Sequence, residues 1–401
     1  MKRGLYRNGG SNRALCAIGA VALSVALAAG EAWARPTSRV LIAGGETNLA
    51  GDATATAEIY DSASGTFTPS TNTMTAARKF HTATLVSVPN NTGTTTTEVL
   101  LTGGADSTNT PLSSAELYDP SSGSFIATTG SMNYPREYQT ASPLPNGDVL
   151  IAGGLSVDST GTQTVLQNAE IYDPGTGTFT MVTCTVAGAS SNNCMSSARY
   201  GATATVLSNG EVVIAGGASD TSGAISDTAD IFDPTTNSFS SVTGLMTDSR
   251  EFPSAALLND GTVLIAGGID NFGTVGSAEI YDPTSDSFSA TSSMIVPRAQ
   301  GTATLLNNGN VLEAGGSSSS TSTDIYAQRK GAFTAGGAMS TERTAQTATL
   351  LSNGSVLVAG GLDQFGSPQT SAEVANARGS KFTTTASMST ARAGHTATLL
   401  P

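Results

Sequence analysis

The chain has 401 residues, of which 18 are Lys or Arg and 31 are Asp or Glu, so its formal net charge is −13. Such an acidic chain is a poor partner for nucleic acid, because binding to phosphates requires clustered cations. Only 12% of the residues are charged and 38% are apolar, and regular apolar runs return throughout the chain, which favours a folded β-rich protein over a disordered one.

Residues 1–34 have the pattern of a secretory signal peptide. The basic residues of this segment stand at its beginning: Lys2, Arg3, Arg7 and Arg13. An uncharged run from Ala14 to Gly30 follows, and Ala32-Trp33-Ala34 provides an A-x-A cleavage site. We therefore predict a domain of residues 35–401 that is secreted or periplasmic and has no membrane span after signal removal. The alternative is an uncleaved anchor, since a run of 17 residues just suffices to cross a bilayer.

A motif of about fifty residues repeats seven times between Val40 and Pro401. Each copy ends an apolar run with a pair of glycines, and the pairs are Gly44-Gly45, Gly103-Gly104, Gly153-Gly154, Gly216-Gly217, Gly267-Gly268, Gly315-Gly316 and Gly360-Gly361. A period of this length indicates a ring or a stack of small sheets.

Each copy of the motif reads as four strands. The first is Thr/Ala-rich, as in HTATLV, and the second is continuously apolar, as in VLIAGG, with an Asn-Gly or Asp-Gly turn between the two in several copies. A loop of variable length leads to a third strand such as AEIYD, and the fourth strand carries one Phe. Four antiparallel strands with two tight hairpins make a propeller blade. We therefore predict an all-β fold, a seven-bladed β-propeller.

The two ends of the repeat region are expected to close the ring. The run from Arg39 to Ala43 is a second strand with no first strand before it, and the run from His395 to Leu400 is a first strand with no second strand after it. We predict that these two strands pair, because an open array would leave exposed strand edges.

These motifs resemble those of kelch repeats. The Gly-Gly pairs, sequences such as Tyr118-Asp119-Pro120 and the aromatic residue near the end of each copy carry the resemblance, although Phe stands in every copy where kelch repeats usually have Trp. The chain is also similar to the propeller of galactose-oxidase-like proteins. The resemblance to that family implies a copper site of two His, a Tyr cross-linked to a Cys and a second Tyr. No matching set is evident here, so we predict no cofactor and no metal.

Each copy also has one Arg before its first strand and one acid at the start of its third strand. The arginines are Arg78, Arg136, Arg199, Arg250, Arg298, Arg343 and Arg392. The acids are Glu58, Glu116, Glu170, Asp230, Glu279, Asp324 and Glu373. A match of seven to seven predicts repeated Arg–carboxylate pairs, and the repetition argues for a structural rather than a catalytic role.

Two cysteines lie beyond the signal segment, Cys184 and Cys194, in the polar sequence CTVAGASSNNC. In an oxidising compartment, two thiols this close most simply form a disulfide. The alternative is a pair of free thiols.

The loops after the second strands and the connections after the fourth strands share one face of the predicted ring. They vary most in length, and variable loops on a rigid scaffold are the expected location of a binding surface. The predicted binding residues are Phe80, His81, Tyr138, Gln139, Tyr200, Gln346 and His395, with Phe252, Phe272 and Phe365 as further aromatic residues. Two histidines alone make a weak metal site, because metal sites usually recruit three or four ligands.

No catalytic group stands out in the sequence. We therefore expect a non-catalytic, monomeric binding module for a protein or glycan ligand. A carbohydrate-active enzyme, such as a sugar epimerase, lyase, hydrolase or oxidase, and a purely structural role remain the alternatives. The candidate catalytic acids of the enzyme alternative are Asp106, Asp158, Asp220, Asp270 and Asp363, none of which has an evident base partner.

Overall fold

A computed structural model describes residues 37–89, 93–186, 189–191, 194–317 and 319–401. The predicted signal peptide lies outside these residues. Within them, the repeats form seven four-stranded antiparallel sheets, which confirms the prediction of an all-β, seven-bladed propeller. The one helix of the described residues is the 3-10 turn Gln328–Lys330, which is far too short to cross a membrane.

The blades are numbered 1 to 7 from the blade that contains Arg39–Ala43, and their strands are listed in that order. The inner strands are Thr396–Leu399, Thr82–Pro89, Thr140–Pro143, Thr203–Val206, Ser254–Leu257, Gly301–Leu305 and Thr347–Leu350. The second strands are Arg39–Ala43, Thr95–Thr102, Val149–Ala152, Val212–Ala215, Val263–Ala266, Val311–Gly315 and Val356–Ala359. The third strands are Ala57–Asp61, Ala115–Asp119, Ala169–Asp173, Ala229–Asp233, Ala278–Asp282, Asp324–Ala327 and Ala372–Ala375.

The outer strands complete the blades. They are Thr66–Pro69, Ser124–Ala127, Thr178–Met181, Ser238–Ser241, Ser287–Ala290, Ala332–Ala335 and Phe382–Thr384. Three small hairpins extend the connections: Leu155–Val157 with Gln163–Val165, Cys184–Val186 with Ala189–Ser191, and Ile269–Asp270 with Gly273–Thr274.

Blade 1 joins the two ends of the repeat region, as predicted. Its inner strand pairs with its second strand in antiparallel register, with Val40 opposite Leu399 and Ala43 opposite Thr396. The Leu400 N–H also donates a hydrogen bond of 2.8 Å to the Arg39 carbonyl. The ring is therefore closed by strands that are more than 350 residues apart in sequence.

The hydrophobic core lies between neighbouring blades. Leu41 of the second strand in blade 1 packs in one cluster with Val99 and Leu101 of the second strand in blade 2. This burial on both faces explains why the second strands are continuously apolar. In blades 1 to 6, an aromatic ring of the third strand also contacts the Phe of the outer strand, as in the pair Tyr60–Phe67, whose ring centroids are 4.9 Å apart.

The two faces of the ring carry different connections. Tight hairpins after the inner and third strands lie on one face, which we call the turn face. The longer segments after the second and outer strands lie on the opposite face, which we call the loop face. The exposed apolar side chains of the loop face are Leu49, Tyr134, Leu245, Phe272, Ile295 and Phe365.

Candidate functional site

The repeated arginines lie buried, and each meets the acid of the blade whose inner strand it precedes. The pairs are Arg78–Glu116 at 2.9 Å, Arg136–Glu170 at 2.7 Å, Arg199–Asp230 at 2.6 Å, Arg250–Glu279 at 3.0 Å, Arg298–Asp324 at 2.8 Å, Arg343–Glu373 at 3.0 Å and Arg392–Glu58 at 3.2 Å. The last pair joins the final connection of the chain to the third strand of blade 1.

The surroundings of Arg78 show what such a pair holds in place. Its guanidinium also donates to the Gly103 carbonyl at 2.7 Å, and its own carbonyl accepts a hydrogen bond from Gly45 of the preceding blade at 2.9 Å. The Glu116 carboxylate accepts the N–H groups of Thr75 and Ala76 in the connection between blades 1 and 2. The Nε–H of Arg78 has no acceptor among the described residues. Both charges are nevertheless paired with each other and enclosed, so a ligand has no access to them.

Seven residues, each two positions after one of these arginines, form a closed ring around the channel entrance on the loop face. We call it the mouth ring: Phe80, Tyr138, Gly201, Phe252, Gln300, Ala345 and Gly394. All seven have left-handed backbones, with φ between 51° and 61°. Each N–H donates to the carbonyl of the ring residue in the preceding blade, and the seven hydrogen bonds of 2.7–3.2 Å return to their starting point. Only Gly adopts this backbone conformation without steric cost, so the five other residues are held there by the circle of hydrogen bonds.

The side chains of the mouth ring are unevenly distributed. Phe80 and Tyr138 are stacked with centroids 4.4 Å apart, and Phe252 meets Tyr138 edge-on at 5.3 Å. Tyr200, one position before the ring residue of blade 4, approaches Tyr138 at 6.2 Å and Phe252 at 6.3 Å. Blades 2 to 5 therefore supply an aromatic cluster, while the other three ring positions hold Gln, Ala and Gly.

Two glycines of the mouth ring make room for these aromatic rings. A Cβ atom on Gly201 would lie 2.7 Å from the Phe252 ring, and one on Gly394 would collide with the Phe80 ring. The positions of the Phe252 and Phe80 side chains thus depend on a mouth-ring glycine in the preceding blade.

The predicted binding residues His81, Gln139, Gln346 and His395 lie below the mouth ring and are buried. The His81 Nε2 atom is 3.0 Å from the Thr396 hydroxyl, and the His395 Nε2 atom is 3.1 Å from the hydroxyl of Thr347. The Gln139 and Gln346 amides donate to carbonyl oxygens of the preceding blades. With the mouth ring, these four side chains line a shallow depression of about 290 Å³.

Each of these four side chains keeps one polar atom without a hydrogen bond among the described residues. These atoms are Nδ1 of His81 and His395 and Oε1 of Gln139 and Gln346. Burial and the charge of Arg392 lower the pKa of His395 to about 3, and burial also holds the pKa of His81 well below its usual value. Both imidazoles are therefore neutral at physiological pH, and the floor of the depression is uncharged.

Charged residues beside the aromatic cluster were not predicted from the sequence. Lys79 donates to the Gly51 carbonyl at 2.6 Å, lies 3.7 Å from the Glu46 carboxylate and sits 5.5 Å from the centre of the Phe80 ring. Burial raises the pKa of Glu137 to about 7, partly offset by Lys79, and burial also raises the pKa of Glu251. The position directly after each repeated Arg differs between copies: it holds Lys79, Glu137 and Glu251 in three blades, and Ala or Thr in blades 6, 7 and 1. This difference is the sequence signal that could have indicated the charged residues.

The five loop acids considered as catalytic candidates shape their own loops. Asp106, Asp158, Asp220, Asp270 and Asp363 each accept a backbone N–H two residues further along the chain. A hydrogen bond from the Thr160 hydroxyl and backbone N–H groups lower the pKa of Asp158. Such carboxylates are held by backbone N–H groups of their own turns, which does not favour acid–base catalysis.

Cys184 and Cys194 form a disulfide, with Cα atoms 5.7 Å apart, in the connection between blades 3 and 4. It closes a short insertion on the loop face. Among the described residues, no group of three or more His, Cys, Asp and Glu side chains is arranged to hold a metal ion.

Comparison with known proteins gives likenesses of fold. No protein family and no curated protein matches the sequence. The solved structure of YjhT is 16% identical over 77% of this chain and 97% of its own, with a TM-score of 0.57. A fungal alcohol oxidase of the AA5 family, solved in complex with copper, is 16% identical over 82% of this chain and 70% of its own, with a TM-score of 0.59. The chain therefore has the kelch-type, galactose-oxidase-like propeller fold that its repeats resemble.

The residues present do not fit the copper site that the resemblance implies. Both cysteines beyond the signal segment are joined to each other, so neither is free to cross-link with a Tyr. The two histidines each direct Nε2 to a Thr hydroxyl of the preceding blade. Both cysteines and one nitrogen of each histidine are therefore already engaged within the protein.

Proposed function

We propose that this protein is an exported binding module whose ligand docks at the mouth ring on the loop face. The observation that carries the proposal is the aromatic cluster of Phe80, Tyr138, Tyr200 and Phe252, which four consecutive blades bring together at the channel entrance. Stacked and edge-on rings offer flat apolar area to a ligand at little entropic cost. Repetition of the fold does not require this cluster, because the remaining blades form the same ring without aromatic side chains.

Export is supported by the disulfide and by the pattern of residues 1–34. A disulfide persists in oxidising compartments, which include the periplasm and the cell exterior. We propose that residues 1–34 are removed as a signal peptide, that residues 35–401 act as one monomeric domain, and that its ligand is a protein or a glycan.

A second candidate function is that of a carbohydrate-active enzyme, and one observation favours it. Glu137 has a pKa near 7, which suits a general acid or base, and it lies beside Tyr138. Burial and nearby carboxylates raise the pKa of Tyr138 far above its usual value, so its hydroxyl stays protonated and is not a base. Because a protonated Tyr138 supplies no base beside Glu137, binding without catalysis is the function we favour.

The proposal is tested by capturing ligands on the immobilised domain of residues 35–401, with a glycan array and with extracts of the source cells. Phe80→Asn, Tyr138→Asn and Phe252→Asn remove the aromatic rings with a residue that tolerates a left-handed backbone. We expect each to weaken capture at least about tenfold. Ile126→Asn, in the exposed outer strand of blade 2, is the control and should have no effect.

Two outcomes decide between the candidates. Unchanged capture by all three mouth variants contradicts the proposed site. Turnover of a captured sugar that is lost in Glu137→Gln replaces the binding module by the enzyme.

A further inference from the structure

The exposed cations of this protein are confined to one part of the ring. Among the residues that the structure describes, the seven repeated arginines and Lys79 are buried. The Lys and Arg side chains that are exposed are Arg39, Arg329, Lys330, Arg378 and Lys381. All of these lie on the turn face, in the consecutive blades 6, 7 and 1. Positive charge is therefore concentrated in one part of this face.

The hairpins of the turn face differ in the sign of their charge. In blades 2 to 5 their charged residues are acids: Asp119, Asp148, Asp173, Glu211, Asp233, Asp260, Asp282 and Asp286. The corresponding hairpins of blades 6 and 7 have the sequences NNGN, QRKG, SNGS and NARGSK, which contain no acid. Where blades 2 to 5 have Asp-Pro after the third strand, blades 6 and 7 have Ala327-Gln328 and Asn376-Ala377. We call the four cations of these two blades the basic sector: Arg329, Lys330, Arg378 and Lys381.

The charges of the basic sector are not neutralised by the protein. Within the part of the chain that the structure describes, none of its members forms an ion pair. Arg39 differs, because it stands opposite Asp61 in the register of blade 1. Physiological salt screens exposed charges beyond about 8 Å, so the acids of distant blades have little effect on an anion at the basic sector.

The outer strand of blade 6 connects the two basic hairpins. It begins at Ala332, two residues after Lys330. Beyond this strand, the Gly337 N–H donates a hydrogen bond of 2.8 Å to the Gly379 carbonyl in the basic hairpin of blade 7. Since a strand advances about 3.3 Å per residue, the two hairpins are within about 20 Å of each other. A ligand that meets both hairpins must be elongated.

A groove on the turn face adjoins Arg329 and Lys330. It has a volume of about 650 Å³, and its lining includes the amide side chains of Asn259, Asn308, Asn310 and Gln328. Asp260 is the acid of this lining, and its carboxylate accepts the Thr262 hydroxyl at 2.7 Å. Amide groups both donate and accept hydrogen bonds, as hydroxyl groups of a ligand require.

The neighbouring groove of blade 5 provides a comparison within the same chain. It has a volume of about 410 Å³ and is lined by Asn209, Asn259 and Asp260. Its hairpin after the third strand contributes Asp282, where the groove of blade 6 has cations. The groove of blade 6 therefore combines hydrogen-bonding amides with positive charge, which suits an anion that carries hydroxyl groups.

The surroundings of the basic sector favour a linear hydrophilic polymer. In the described residues, the large exposed apolar side chains lie on the loop face or, as Leu85 and Ile126, in blade 2. Protein interfaces depend on buried apolar and aromatic anchors, which the basic sector does not offer. A flat anionic membrane would meet the acidic hairpins of blades 2 to 5 as well and would be repelled. A single chain can follow blades 6 and 7 alone.

We propose that the basic sector binds an acidic polysaccharide, whose carboxylates pair with its cations and whose hydroxyl groups bond to the amides of the blade 6 groove. This site goes beyond the proposed function, because the mouth ring lies on the opposite face. The planar fork of an Arg side chain matches a carboxylate with two parallel hydrogen bonds. Two weak contacts on separate hairpins together hold a chain more tightly than either does alone.

The inference is tested by calorimetric titration of the domain of residues 35–401. The probes are hexagalacturonate, its methyl ester, monomeric galacturonate and a glutamate hexapeptide. We expect hexagalacturonate to bind and the ester, which keeps the sugar chain without its charge, to fail. The monomer cannot reach both hairpins and the peptide has no sugar hydroxyl groups, so each should bind at least about tenfold more weakly.

Matched variants locate the charge. Arg329→Gln and Arg378→Gln should each weaken binding of hexagalacturonate about threefold, and the double variant about tenfold. Arg39→Gln makes the same change at an exposed Arg outside the basic sector and should leave the affinity unchanged. All three side chains are exposed, so the variants remain folded.

Four results would overturn the inference. The first is no binding of hexagalacturonate at about 10 mM, or equal binding of its ester. The second is an equal effect of Arg39→Gln and Arg329→Gln. The third is equal binding of the glutamate hexapeptide, which identifies an acidic protein segment as the ligand, or binding to phosphatidylglycerol vesicles that the double variant abolishes, which identifies a membrane. The fourth is loss of hexagalacturonate binding in Phe252→Asn, which assigns the anion to the mouth ring. Unchanged binding in Phe252→Asn with weakened binding in the double variant supports the inference, whatever the outcome for the proposed function.

Discussion

Glu313 interrupts the apolar pattern of the second strands. Its position in blade 6 corresponds to Ile265 in blade 5, and it lies opposite Ala303 and Asp324 in its sheet. The carboxyl group accepts a hydrogen bond from Ser254 of blade 5 at 2.8 Å, while its second oxygen has no partner among the described residues. Burial raises its pKa to about 8, so the group is mostly protonated at neutral pH.

We predict that Glu313→Ile stabilises the protein by about 1–3 kcal/mol at pH 8, because the substitution removes an unsatisfied buried oxygen. Ser254 keeps a partner, since its hydroxyl is also 3.2 Å from the Ala266 carbonyl. Chemical denaturation of both proteins measures the difference in free energy of unfolding.

The pH dependence of this difference follows from the raised pKa. Between the ordinary carboxyl pKa of 4.5 and about 8, folded Glu313 keeps a proton that the unfolded chain releases, so the stability of the parent protein falls as pH rises through this window. The advantage of the variant should therefore grow from pH 5 to pH 8 and then level off. An advantage that is absent, or the same at pH 5 and pH 8, would contradict this role of Glu313.

At the scale of the elements, the mouth ring is the part of the fold that depends most on backbone conformation. Ala345 and Gly394 are successive members of the ring, with φ of 51° and 59°. They are connected directly, because the Gly394 N–H donates to the Ala345 carbonyl at 3.0 Å. They therefore form a matched pair in which only the Cβ atom differs.

We predict opposite effects for exchange at these two positions. Ala345→Gly should raise the free energy of unfolding by up to about 1 kcal/mol, because it relieves a left-handed alanine. Gly394→Ala should lower it by about 1–3 kcal/mol and also displace the Phe80 ring, which its Cβ would strike. Thermal unfolding and the near-ultraviolet signal of the aromatic cluster measure both effects, and changes of the same sign would disprove the explanation.

At the scale of the whole molecule, the candidate site exists because the ring closes. The Phe80 N–H donates to the Gly394 carbonyl at 2.8 Å, and the Phe80 ring lies against Gly394, although more than 300 residues separate the two. The His81 imidazole also meets the Thr396 hydroxyl across this junction. The junction of blades 1 and 2 thus fixes one side of the aromatic cluster.

The features of the fold that repeat in every blade could be predicted from the sequence. The seven Gly-Gly pairs and the unpaired end strands indicated the number of blades and the closure, because each blade needs the same local pattern to bury its second strand. The charges around Tyr138 could not be predicted in this way, since Glu137 and Glu251 differ from copy to copy. The burial of His81 and Gln139 depends on how closely neighbouring blades approach, which no local pattern encodes.

The central claim is that a closed seven-membered circle of backbone hydrogen bonds builds the mouth, and amide hydrogen exchange tests it most directly. We predict that the seven mouth-ring amides exchange only through global unfolding, with one common free energy. Fast local exchange confined to Phe80 and Gly394 would show that the ring opens at the junction of its two ends, and would contradict the account.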